Sequence, residues 1–219
     1  MHLCLQATRC RLFWNAKGSH VLCQSLADFD ATNKSYFGES RLYLLSVDGK
    51  VDTAVTMNND TNIVDVGWNP AGTEFVAIGG HQPATAALFD VRGKPICTIG
   101  TGPYNTVRWN PQGRFILLAG FGNLPGDIRL WERSTTDKAC TAMGATRSEC
   151  SVLVEWAPCG RFFLTASVAP RMRVDNRISV FTYYAREVHT MPYDELRSAH
   201  WRPRPVVRTC LCCIGGSTC

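Results

Sequence analysis

The stretch GTGPYNTVRWNPQGRFILLAGFGNLPGDIRLWE, residues 100–132, decides how the chain is read. It contains a short alternating segment, Asn105–Trp109, then the turn Trp109-Asn110-Pro111-Gln112-Gly113, then the unbroken apolar run Phe115–Ala119. A second alternating segment, Asp127–Trp131, follows the connection Gly120–Gly126. Proline presets φ in such a turn, and Asn and Gly favour the flanking positions. A short apolar run between two alternating segments suits a strand buried on both faces. The glycines of Gly120–Gly126 tempt a reader toward a phosphate cradle. Their spacing departs from a dinucleotide fingerprint, and the stretch opens a strand instead of a helix, so it presents no helix-terminal amides to a phosphate. It reads as a tight connection whose glycines supply positive φ.

Working outward, the turn repeats. Trp68-Asn69-Pro70-Ala71-Gly72 and Trp156-Ala157-Pro158-Cys159-Gly160 are clear copies, each followed by an apolar run. Trp14-Asn15-Ala16-Lys17-Gly18 is a weaker copy, and Trp201-Arg202-Pro203 starts another before the pattern is lost. Successive tryptophans stand 54, 41, 47 and 45 residues apart, close to the length of a four-stranded propeller blade. The expected fold is all-β, a WD40-like β-propeller of about four blades that forms an incomplete arc of a larger ring. Residues 1–10 read as an N-terminal extension, 11–203 as the blades and 204–219 as a cysteine-rich tail. Trp68, Pro70, Gly72, Trp109, Pro111, Gly113, Trp156, Pro158 and Gly160 are the structural signature, with each indole expected under its own turn. An open arc leaves an apolar face on each end blade, and such faces favour association. The partial repeat at Trp201 looks too short to cover the second of them.

Composition narrows the function. The longest apolar run, Phe115–Phe121, is far too short for a bilayer. Met1–Trp14 mixes Arg, His and Gln into any apolar run, so no signal peptide is expected and the chain reads as cytoplasmic. Seven of the eleven cysteines are scattered singly and read as reduced thiols, most of them small core residues. The remaining four crowd after Thr209 without the paired spacing of a zinc site. No metal site, cofactor or catalytic constellation is read: the five histidines are widely spread, and Asp60, Asp65, Asp90 and Asp127 fall at strand ends or turns, where carboxylates cap amides. The net charge of +5 fits RNA contact without requiring it. Between Arg171 and Arg208 eight arginines face four carboxylates. Arg171, Arg173 and Arg177 share one loop, where they serve either as phosphate ligands or as loop residues bonded to nearby carbonyls.

The words of the sequence also resemble a known family. The 100–132 stretch, ASVAPRMRVDN at 166–176, LFWNAKGSHVL at 12–22, SYFGES at 35–40 and TEFVAIGGHQPATAALFD at 73–90 are similar to the propeller of eukaryotic translation initiation factor 2A. That resemblance runs from about Arg11 to about Arg204 and implies a non-enzymatic module. Its implied partners are the small ribosomal subunit, initiator methionyl-tRNA and mRNA, with other initiation factors possible and neither membrane nor DNA. The family's later half is absent here, and the text after Arg204 matches nothing familiar. Two other readings stand beside it: a protein-interaction propeller without RNA contact, and a truncated remnant.

Overall fold

The computed structural model describes residues 7–27, 40–57, 62–134, 136–169, 171 and 175–203. Among these residues there are strands and no helix. Blade one comprises β1 (Arg9–Trp14), β2 (His20–Leu26), β3 (Ser40–Ser46) and β4 (Asp52–Val55). Blade two comprises β5 (Ile63–Trp68), β6 (Glu74–Gly79), β7 (Ala84–Asp90) and β8 (Pro95–Gly102). Blade three comprises β9 (Thr106–Trp109), β10 (Phe115–Ala119), β11 (Asp127–Ser134) and β12 (Ala139–Arg147). Blade four comprises β13 (Leu153–Trp156), β14 (Phe162–Ser167), β15 (Arg177–Thr182) and β16 (Glu187–Pro192). Each is a four-stranded antiparallel sheet in simple chain order, as a propeller blade is. The first blade takes in Arg9 and Cys10, two residues ahead of the boundary expected from sequence.

The unbroken apolar runs are the second strands, and the reason lies in how the sheets stack. In β10 the side chains of Ile116 and Leu118 pack with Val76, Ile78 and Leu88 of blade two. Phe115, Leu117 and Ala119 pack with Phe163 and Phe181 of blade four. Every residue of β10 is therefore buried. The same division holds in β6, where Phe75 and Ala77 face blade one and Val76 and Ile78 face blade three. The core lies between the sheets, so each blade depends on its neighbours.

The repeated turn joins the blades as well as ending a strand. Gly72, Gly113 and Gly160 all hold φ between 67 and 74°, a left-handed conformation that an L side chain would strain. Each of these glycines donates its N–H to the carbonyl three residues back, at 2.8, 2.9 and 2.8 Å. Asn110 Oδ1 caps its turn by accepting from the amides of Arg114 and Phe115 at 2.8 and 2.9 Å. The tryptophans reach backwards. Trp68 Nε1 donates to the Phe13 carbonyl (2.8 Å), Trp109 Nε1 to Gly67 (3.1 Å) and Trp156 Nε1 to Arg108 (3.2 Å). In every case the acceptor is the residue just before the tryptophan of the preceding blade. Each indole thus staples its blade to the blade before it, beyond merely filling space below its own turn.

The staple has a fourth copy that corrects the sequence reading. Trp201 Nε1 donates to the Glu155 carbonyl at 3.1 Å. Leu196 and Ala199 are buried against Leu164 and Ala166 of blade four. Leu196 N donates to Asn176 Oδ1 at 2.8 Å, and Ala169 N to the Leu196 carbonyl at 2.7 Å. The partial repeat therefore covers part of the face that it looked too short to cover, because one indole and two small apolar side chains suffice to seat it.

The cysteines need a second correction. Of the described ones Cys23 is buried and Cys97 and Cys140 are half-buried, but Cys10, Cys150 and Cys159 are exposed. Cys159 occupies the variable position of a turn and Cys150 a connector with φ of 59°, so neither side chain has a core to enter. Cys4 and the tail cysteines lie outside the described residues.

Two outcomes follow. Trp109→Ala empties a large aromatic site and should cost about 3–5 kcal/mol in urea melts. Trp109→Phe keeps most of the ring but strands the Gly67 carbonyl, at about 1–3 kcal/mol; a loss below about 1 kcal/mol for the alanine variant contradicts the staple. Burial, and next to it the Cys10 thiol 3.0 Å away, pushes Cys23 up to about 12. Burial and the neighbouring Cys97 do the same for Cys140. At pH 8 these two stay protonated thiols, so iodoacetamide should label Cys150 and Cys159 well ahead of them in the native chain. Equal labelling of all four contradicts the assignment.

Candidate functional site

On one side of the arc the loops that leave the second strands meet the connectors that enter the first strands. Asn105, just before β9, brackets the Gly120–Gly126 connection. Its Nδ2 donates to the Phe121 carbonyl at 2.7 Å, and its Oδ1 accepts from Phe121 N at 3.0 Å. The connection closes on itself through Gly126 N to the Gly120 carbonyl, 2.8 Å. Ser148 N donates to the Gly126 carbonyl at 2.9 Å, which ties the connection to the segment entering blade four. That segment is held from below by the buried hydroxyls of Ser148, Ser151 and Thr165, at 2.8 and 2.7 Å.

These walls enclose a cleft of about 440 Å³ whose lining includes Leu124, Pro125, Val152, Arg147, Glu149 and Arg171. An adjoining hollow of about 290 Å³ shares Gly122, Val152 and Arg171 and adds Asn105 and Asn123. Arg171 stands where the two join. Gly122 holds φ of 75°, and a Cβ there would lie 2.8 Å from Arg171 Nη2. The left-handed φ favours glycine at this position, and the Arg171 guanidinium rests over it. The glycine-rich stretch is thus a strand-to-strand connection, as its spacing implies, and also the wall on which a cation sits.

The three loop arginines separate. Arg177 opens β15 and its Nη2 donates to the Glu149 carbonyl at 3.2 Å. Glu149 lines the same cleft, so Arg177 braces its rim. Arg173 lies outside the described residues. Arg171 forms no ion pair among the described residues. Arg147, which the sequence did not single out, is engaged by Asp127 at 2.7 Å, and that hydrogen bond raises its pKa further. Asp65 and Asp90 cap amides as expected: Asp65 Oδ2 accepts from Val107 N at 2.9 Å, and Asp90 Oδ1 from Arg92 N at 2.8 Å. Asp60 is outside the described residues.

The repeat itself was the signal that could have found this site. Gly120–Gly126 joins second to third strand in blade three, and Ala169–Asn176 occupies the same place in blade four. Equivalent loops of adjacent blades must lie side by side. The resulting cleft offers apolar walls, amide side chains, the carboxylate of Glu149, the paired Arg147 and, in Arg171, a guanidinium with no ion pair among the described residues. Among the described residues no three His, Cys, Asp or Glu converge on a point that could hold a metal ion, and no helix is long and apolar enough to cross a membrane.

Comparison with known proteins fits this architecture. Residues 4–199 match the model of the family described as eukaryotic translation initiation factor eIF2A. The chain is 37% identical over 206 residues to eukaryotic translation initiation factor 2A of Schizosaccharomyces pombe, covering 94% of this chain and 35% of that protein. It is 35% identical over 198 residues to the Dictyostelium discoideum protein of that name, covering 90% and 31%. The chain thus spans about a third of the length of these relatives. A solved chain described as the crystal structure of the eukaryotic initiation factor superposes with a TM-score of 0.77 at 31% identity, over 92% of this chain and 47% of that one. By its repeats, its fold and these matches, the chain belongs to the eukaryotic translation initiation factor 2A family.

Proposed function

We propose that this chain is a non-enzymatic, cytoplasmic binding module of translation initiation. In this reading it contacts the small ribosomal subunit through the cleft between blades three and four, and supports delivery of initiator methionyl-tRNA to mRNA on that subunit. Other initiation factors are candidate neighbours. The observation that carries the proposal is Arg171, seated on Gly122 at the junction of the two hollows and without an ion-pair partner among the described residues. A guanidinium in that state loses least by turning to a phosphate oxygen, since it surrenders no carboxylate. Arg177 contributes by fixing the rim through the Glu149 carbonyl, and Arg173 is proposed as a further phosphate ligand of the same loop.

Co-sedimentation with purified small subunits at graded salt tests this. Phosphate contacts release counterions, so binding should fall steeply as salt rises, and losing one such contact should lower the slope by about 1. Arg171→Ala should weaken association with the melting temperature unchanged. The triple change of Arg171, Arg173 and Arg177 to Ala should weaken it further. Binding that is insensitive to salt and to all three changes would contradict the RNA contact and favour a propeller that binds proteins alone.

A further inference from the structure

The turn between third and fourth strands is one motif in blades one, two and four. Gly49 N donates to the Ser46 carbonyl at 3.1 Å, Gly93 N to Asp90 at 3.0 Å and Ala185 N to Thr182 at 2.9 Å. The donor residue holds a left-handed φ each time, 73°, 77° and 67°, which glycine adopts freely and alanine does not. The tips of such turns are ordinarily polar, and Asp48 and Arg92 are the exposed tip residues of blades one and two. Blade four instead places Tyr183 and Tyr184 at the tip, and Tyr184 is 58% exposed. Asp48 and Arg92 face solvent although another blade follows each of them, so the exposure of Tyr184 belongs to the turn itself.

The two rings are held in place from blade three. Ala185 is buried in the core between blades three and four. Gly144 of β12 makes room for the turn, since a Cβ there would lie 2.5 Å from the Tyr184 carbonyl oxygen. Tyr183 stacks on Phe115 at 4.9 Å with 20° between the planes, and Tyr184 lies against Tyr183 at 4.0 Å and 38°. The Arg114 guanidinium lies 5.1 Å from the centre of the same Phe115 ring. A column of rings thus runs from buried Phe115 out to exposed Tyr184. Cations flank it. Arg114 is engaged by Glu132, whereas half-buried Arg161 and exposed Arg186 form no ion pair among the described residues. Tyr183 N donates to the Arg161 carbonyl at 3.0 Å, which sets that arginine beside the turn. The carboxylate next along the chain, Glu187, accepts from the Thr190 hydroxyl. A hydrogen bond to Tyr184, and then burial, raises the Tyr183 pKa, so that phenol is uncharged at neutral pH.

We propose that this turn is a stacking platform for an unpaired base of single-stranded RNA. The base lies on the exposed face of Tyr184, and the flanking phosphates meet Arg161 and Arg186. An aromatic face accepts any base while cations follow the backbone, the combination by which single strands are bound. An apolar protein surface would use the ring but would desolvate two guanidinium groups without partners. The platform lies at the opposite end of the strands from the Arg171 cleft: Thr182 pairs with Phe162 at the start of β14, and Arg177 with Ser167 at its end. It therefore stands apart from the contact proposed for that cleft.

Fluorescence anisotropy of the full 219-residue chain with a labelled oligoadenylate of about ten nucleotides tests this. Tyr184→Ala should weaken binding by about five- to a hundredfold, the worth of one stacked base. Tyr184→Phe should bind close to the native chain. Tyr184→Leu, apolar but without a π face, should lose about as much as alanine. Because Tyr184 is exposed, the thermal transition should survive all three changes. Arg161→Ala and Arg186→Ala should each weaken binding and flatten its salt dependence. A fluorescent adenine analogue in the oligonucleotide should be quenched by the native chain and not by Tyr184→Ala. All these effects should persist in an Arg171→Ala background. The proposal is overturned if the native chain does not bind the oligonucleotide, if Tyr184→Ala binds as well, or if a duplex of the same sequence binds equally. Full binding by Tyr184→Leu, the mark of an apolar protein contact, overturns it too, as does binding that disappears with Arg171→Ala alone.

Discussion

The structure depends on one hydrogen bond made four times, from an indole N–H to a backbone carbonyl of the previous blade. A four-stranded sheet with two apolar faces cannot be stable alone, and apolar contact between sheets fixes neither their rotation nor their register. The indole fixes both. Donor and acceptor are 55, 42, 48 and 46 residues apart, yet the acceptor is always the residue before the previous blade's tryptophan. Variation in blade length is thus absorbed in loops and outer strands and never at the staple. Buried pairing adds to it at one junction: Arg133 of blade three, only 3% exposed, meets Glu74 of blade two at 2.7 Å.

That frame is what brings separate loops into one site. Arg171 and Gly122 are distant in sequence and sit on different blades, but a fixed stagger between blades three and four sets one against the other. The connection can be close because it has no side chain at Gly122, and it can be rigid because Asn105 holds Phe121 from both sides.

Much of the fold was legible because propeller periodicity is written twice, once in the Trp-Asn-Pro-x-Gly turn and once in the apolar run after it. Phe115–Ala119 is a strand with the bounds its composition suggests. The direction in which the indoles point was not legible, since a turn motif says nothing about the neighbouring sheet. Nor was the seating of residues 194–203: Leu196, Ala199 and Trp201 carry no strand pattern, and only the waiting face of blade four gives them a place. Of the site, the arginine loop could be read from charge alone. Its separation into a rim brace, Arg177, and a cation without an ion-pair partner among the described residues, Arg171, depends on a backbone carbonyl at Glu149 that no sequence pattern marks.

The staple is tested most directly by hydrogen exchange at the six tryptophan indoles, resolved individually by nitrogen-15 NMR. The account predicts slow exchange at Trp68, Trp109, Trp156 and Trp201, each closed in a hydrogen bond to the preceding unit, and fast exchange at Trp14 in the single chain. Exchange at Trp109 and Trp156 as fast as at Trp14 would show that the indoles do not join the blades, and the account of the fold would be wrong at its base.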